Sequence, residues 1–208
     1  MTKPLRILPR LLLLLACIIG IAGAFAWFDH VSSKPGIRAL DPGEMGKMES
    51  AMWRSYYEGK WVRLGWQTLD AAHYQHGFSW IDSLRMAARA ARAALYFRKN
   101  SDDPRCLPEL EAYYQIIRRA MRGTFDVPEA ARLELEWWKE RRRNIAPQDY
   151  ARTIAKLTAM VYGVSEEAAL PACILRAEAM AYRDARRDGK MTDEDWAEIS
   201  RRLEIAYS

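Results

Sequence analysis

Leu107-Pro108-Glu109-Leu110-Glu111-Ala112-Tyr113-Tyr114-Gln115-Ile116-Ile117-Arg118-Arg119-Ala120-Met121 decides the fold class. Leu107, Leu110, Tyr114, Ile117 and Met121 follow one another at alternating steps of three and four. That spacing puts them on one side of an α-helix and scatters them over both faces of a strand. Tyr150, Ile154, Leu157 and Val161 repeat the pattern downstream. No strand-like alternation or hairpin turn signal competes with it. The expected class is therefore all-α.

Helix starts punctuate the rest of the chain. Asp41-Pro42-x-Glu44, Ser79-x-x-Asp82 and Asp126-x-Pro128-Glu129 each supply a side-chain acceptor for the first amides and an acid three residues on. Asp103-Pro104, Ala146-Pro147, Ser165-Glu166-Glu167 and Thr192-x-x-Asp195 mark further starts, which predicts about seven helices over residues 41–208. Gly59 is placed to break the segment from Pro42 to about Gln75 into two helices meeting at an angle. Trp61-x-x-Leu64-Gly65 is similar to the opening of a tetratricopeptide repeat, but nothing downstream repeats it.

Before this body comes a different kind of segment. Leu11 to Phe28 carries no charge, and Lys3, Arg6 and Arg10 precede it. An uncharged run behind a positive flank is a membrane-insertion signal, and the flank keeps the amino terminus in the cytoplasm. Residues 1–30 are thus expected to be a signal or anchor segment, 31–40 a linker and 41–208 a helical domain on the periplasmic face of a bacterial inner membrane. Ala24-Phe25-Ala26 matches a signal-peptidase pattern. Phe25, Trp27 and Phe28 continue the apolar stretch past it and favour a retained, single-pass anchor through residues 11–28.

Composition agrees with a globular body of one domain. Half of the 208 residues are apolar and 28% are charged, with eight Trp and ten Tyr available to fill a core. The net charge of +5 falls to +2 once the three cations of the leader are set aside. Arg98/Lys99, Arg118/Arg119/Arg122, Arg141/Arg142/Arg143 and Arg186/Arg187 lie at expected helix ends, where cations complement the helix dipole. Nucleic acid is therefore not an expected partner. Arg85, Arg89 and Arg92 form one stripe on an alanine-rich helix and read as a solvated edge. Cys106 and Cys173 are the two cysteines outside the leader. Two buried free thiols are preferred to a disulfide, which stays open.

Three carboxylates fall on apolar helix faces. Glu49 lies between Met45, Met48, Met52, Trp53 and Tyr56; Glu134 among Ala130, Ala131, Trp137 and Trp138; Glu178 among Ile174, Leu175, Ala181, Tyr182 and Ala185. A carboxylate in such a place needs a cation, a donor, a proton or a metal, because desolvating it alone costs several kcal/mol. The preferred expectation is an internal network satisfied by Arg54, Arg141, Arg176 and Tyr and Trp donors. Tyr56, Trp53, Arg141 and His73 are the accessory groups. A carboxylate metal site of the ferritin type is the first alternative, weakened because Asp70-x-x-His73 is the sole comparable element. Cell-wall chemistry is the second. Glu49-Ser50 resembles the Glu-Ser pair of lytic transglycosylases, without that family's Gly-Leu-Met-Gln element. His30 follows the anchor, and His73 and His76 sit near a helix end, where surface placement is expected. No Gly-rich phosphate loop or nucleophile elbow occurs, and no cofactor is expected.

Met52-Trp53-Arg54-x-Tyr56-Tyr57, Leu133-Glu134-Leu135-Glu136-Trp137-Trp138 and Arg176-Ala177-Glu178-Ala179 resemble strings found in a group of uncharacterised bacterial helical proteins. The resemblance spans most of the soluble part, implies a single fold and implies no activity. The expectation for function is a non-enzymatic, anchored periplasmic module that binds an envelope protein or supports an assembly.

Overall fold

The computed structural model describes residues 7–35, 40–186 and 191–208. Lys3, Arg6, the Arg10 side chain, linker residues 36–39 and Arg187 lie outside the described residues. Within them the chain forms nine helices and no strand. The first, α1 (Ile7–Ser32), contains 19 residues, Leu14–Ser32, that are long and apolar enough to cross a membrane. Among its described side chains, the large apolar ones of Leu12, Leu14, Ile18, Phe25, Trp27 and Val31 stand exposed.

The other eight helices begin where their caps stand. Asp41 accepts from the Glu44 amide and opens α2 (Pro42–Tyr57). Gly59, at φ 71°, takes a left-handed turn that a side chain would strain, and α3 (Trp61–Asp70) starts beyond it. This break is why eight helices follow α1, where seven starts were expected. A π-helical turn, Ala71–Gln75, closes α3. Ser79 then caps α4 (Trp80–Lys99) through the Asp82 amide. In place of a start at Asp103-Pro104, Asp103 makes a turn with Arg105 and α5 runs over Cys106–Met121. Asp126 caps α6 (Val127–Arg142), Pro147 opens α7 (Pro147–Tyr162), and Ser165 caps α8 (Glu166–Asp184). Thr192 and Asp195 exchange both bonds of a capping box at the head of α9 (Asp193–Tyr207).

Each helix from α2 to α9 packs on the next in the chain, and α9 returns to α2, so the eight form a closed ring. Ala93, Ala130, Ala131, Ala151 and Ala177 are fully enclosed between helices, and their small side chains allow the backbones to approach. Around them Leu110, Ile154, Leu157 and Met180 complete one core spanning α4 to α8. A second, smaller core joins Ala179 of α8 to Trp196, Ile199 and Leu203 of α9. Trp53 of α2 packs against both. The ring closes tightly at Gly46, where a Cβ would lie 2.5 Å from the Glu204 backbone nitrogen.

The end of α1 is fastened to this ring. Asp29 is buried, and its Oδ2 accepts the Trp80 amide at 2.8 Å, capping α4 from outside. Lys34 donates its amide to the Gly77 carbonyl at 3.1 Å, and the Asp41 amide bonds Gln75 Oε1. The arginine stripe is a half-exposed edge: Arg89 and Arg92 both grip Glu109 at 2.9 Å. Cys106 and Cys173 are free, buried thiols.

Candidate functional site

Inside the ring lies a cavity of about 570 Å³, and all eight helices α2–α9 contribute to its wall. Ligand pockets are commonly about 300–1,000 Å³. The wall draws on Met45 and Glu49 of α2 and on Met86 and Ala90 of α4. It takes Leu157 and Val161 from the second half of α7, and Tyr207 ends α9. Leu40 and Pro42, at the entry to α2, and His76, two residues before Phe78 and next to the Gly77 on which Lys34 rests, also line the cavity.

Most of this wall is apolar, and the polar groups in it are few: Glu49 and Tyr114 are buried, and the others are half-buried. Arg176 donates from Nε and Nη2 to Glu49 Oε1, at 2.9 and 2.5 Å, and the Tyr207 hydroxyl donates to Glu49 Oε2 at 2.8 Å. Burial disfavours the Arg176 charge, but the Glu49 carboxylate more than offsets this and holds its pKa above the usual arginine value. The Trp137 ring lies 5.8 Å from the guanidinium carbon. On the neighbouring wall, Glu134 accepts from the Tyr114 hydroxyl and from Trp138 Nε1, each at 2.9 Å. Burial pushes the Tyr114 and Tyr207 phenols up, and the adjacent carboxylates push the same way.

Three further polar side chains line the cavity without a hydrogen-bond partner among the described residues: Tyr113, Tyr162 and His76. Burial raises the pKa of Tyr113 and of Tyr162, and Glu134 adds to the rise at Tyr113. Burial lowers that of His76, with Glu49 opposing, so its ring is held neutral. Unpaired donors facing a half-open hollow are the arrangement that a ligand or bound water completes.

The structure brings Glu49 and Glu134 to this cavity and leaves Glu178 elsewhere. Glu178 is half-buried on the other side of α8, 3.5 Å from Gln148 Nε2, because α8 turns Cys173, Ala177 and Met180 inward. The accessory groups also lie apart from it. Arg141 grips Asp184 with two bonds and donates to the Tyr57 hydroxyl. Tyr56 packs edge-on against Tyr57 and Trp61. Trp53 sits between the two cores, and His73 stacks on Trp80 with Nδ1 2.7 Å from the Phe78 carbonyl. Arg54, expected among the donors, pairs with Glu58 and Asp193.

This geometry bears on the chemical alternatives. Both oxygens of Glu49 are taken by Arg176 and Tyr207, which is a poor arrangement for a general acid that must hold a proton. Among the described residues, no three His, Cys, Asp or Glu side chains come together in a group that would hold a metal ion. His76 contradicts the expected surface placement: the π-helical turn before it carries the ring into the ring of helices. Tyr113, Tyr162 and Tyr207 were not singled out in the sequence. Nothing in their local spacing separates a cavity-lining Tyr from a packed one. No family model, curated protein or solved structure matches the chain, so the cavity's own residues carry its reading.

Proposed function

We propose that the protein is a single-pass, membrane-anchored binding domain whose internal cavity takes a small, mostly apolar ligand. The amino terminus lies in the cytoplasm and the helical ring on the periplasmic side, as the cations ahead of α1 direct. The observation that carries this reading is one hollow walled by all eight helices, in which Tyr113, Tyr162 and His76 lack partners. Such a site orients a ligand by a few polar groups and holds it by burial. Native mass spectrometry of the detergent-released full chain, with N-phenyl-1-naphthylamine as probe, tests it. One adduct per chain is expected in the native protein and none in Ala90→Phe, which fills the hollow. Ala87→Leu is a milder filling variant should the first unfold. An adduct indifferent to both fillings, or no adduct, overturns the reading.

A second reading, docking of an envelope protein, is favoured by the outer face of α3. Val62 and Trp66 are 78% and 63% exposed, and Trp61 stands beside them. Arg63 flanks this face, and Arg98 lies over the Trp61 ring at 5.6 Å. Aromatic and Arg side chains together are the usual anchors of protein interfaces. A photo-crosslinking residue at position 66 should trap one envelope protein in cells at native expression. Loss of the trapped product on Trp61→Ser is expected, and a product unchanged by it counts against the face.

A further inference from the structure

The placement of the cavity deepens the proposed function. Three contacts fasten α1 and the residues after it to the ring: Asp29 on the Trp80 amide, Lys34 on Gly77, and Asp41 on Gln75. Asp29 lies in the last turn of α1, and Lys34 and Asp41 lie between α1 and α2. Leu40 and Pro42, at the entry to α2, form part of the cavity wall. His76 also lines the cavity and precedes Gly77, on which Lys34 rests. A Cβ at Gly77 would lie 2.5 Å from the Lys34 carbonyl oxygen, so Lys34 sits directly beside the cavity-lining His76 turn.

We infer that the cavity takes the chain and head of an uncharged membrane amphiphile, which enters from the bilayer where α1 docks on the ring. α1 ends just before Lys34, and its last apolar side chains, Trp27, Phe28 and Val31, remain exposed around the docking contact at Asp29. If α1 spans a bilayer, as the proposed function holds, its exposed surface brings the headgroup layer to the His76 turn. An apolar chain then moves from hydrocarbon to the wall of Met45, Met52, Met86, Ile117 and Leu157 with little exposure to water.

The polar groups define the head. Two carboxylates, Glu49 and Glu134, face one guanidinium, Arg176, so the interior leans negative and repels a phosphate or carboxylate head. Arg176 is already engaged by Glu49 and offers no unpaired cation. What remains is the hydroxyls of Tyr113 and Tyr162 and the neutral ring of His76. These match a hydroxyl, ester or ketone oxygen, since each donates to an uncharged acceptor.

This inference rests on the ligand-binding reading, and its test separates the two. The full chain is placed in phosphatidylethanolamine vesicles containing either a diazirine-bearing diacylglycerol or a diazirine-bearing phosphatidylglycerol, irradiated and mapped by mass spectrometry. Labelling of Met52, Met86 or Leu157 by the uncharged probe is expected, at least tenfold above the anionic probe and lost in Ala90→Phe or Ala87→Leu. Both probes should label α1. Labelling of α1 alone by both overturns the bilayer source. Equal labelling of the cavity by both overturns the uncharged head. If naphthylamine still forms its filling-sensitive adduct in either case, the cavity remains a binding site and only the ligand class falls; if it does not, both readings fall together.

Discussion

Arg176 and Glu49 are more than a hundred residues apart in the chain and meet in a place that water does not reach freely. Taking Arg176 away leaves the buried Glu49 carboxylate with only the Tyr207 hydroxyl as partner. Arg176→Met is therefore expected to lower unfolding free energy by about 3–5 kcal/mol. Replacing both, as Glu49→Leu with Arg176→Met, should recover much of that loss, because an apolar pair of similar volume is often neutral in such a site. Urea denaturation of the two single variants and the double one checks this, and strictly additive losses would show that the two side chains do not act as a pair. His76 makes a separate, pH-dependent contribution. Its folded-state pKa is lowered by burial, so the unfolded chain binds the proton first. Stability is then complete above the unfolded value of about 6.5 and declines as the pH falls below it. The drop in urea midpoint between pH 7.5 and pH 5.5 should be smaller in His76→Gln than in the native chain. Equal drops would mean that the ring is protonated in the folded state.

Helices α2 and α9 come from opposite ends of the ring's sequence, and their contact closes it. Gly46 sets how near they come. A methyl group there meets Glu204 nitrogen at 2.5 Å and its Cα at 2.7 Å, both backbone atoms that cannot turn aside. Gly46→Ala is expected to destabilise by about 1–3 kcal/mol, the usual cost of overpacking, although alanine is the better helix former. Thermal unfolding followed by circular dichroism checks the direction; a rise in midpoint would mean that the two helices separate at little cost. At the start of α4 the Asp29 side chain supplies an acceptor from another helix, where Ser79 already caps from its own chain. Asp29→Ala should speed hydrogen exchange at the Trp80 amide by about tenfold or more, given the 1.5–3 kcal/mol of a hydrogen bond to a charged group. The bundle's melting midpoint should change little, because no described residue of α1 belongs to either core.

For the molecule as a whole, the expected topology has one measurable consequence. A carboxy-terminal alkaline phosphatase fusion to the full chain should be active in cells, and exchanging Lys3, Arg6 and Arg10 for Glu should reduce that activity several-fold. An inactive native fusion would place the ring in the cytoplasm. The filling variants at Ala87 and Ala90 test the interior in the same chain, so anchoring and binding are assessed separately.

How much of this was legible before the structure depends on the range of the interaction. Helix class, the break at Gly59 and six of the seven starts follow from residues a few positions apart: caps bond amides three residues on, and apolar spacing reports a face. The start at Asp103-Pro104 is the exception, because Asp103 bonds Arg105 and holds a turn before α5. Glu49 and Glu134 were legible as inward carboxylates for the same reason, since Met, Trp and Tyr neighbours mark their arcs clearly. Glu178 was misplaced because the inner face of α8 is built from Ala177, Cys173 and Met180, and small or weakly apolar residues leave a faint stripe. His76 gave no periodic signal, lying just past a π-helical turn where the helical count no longer holds. The ring, its hollow and the pairing of Glu49 with Arg176 depend on α9 coming back to α2. Contacts between distant segments are selected by the packing of the whole chain, and no local pattern of residues encodes which helix will lie beside which.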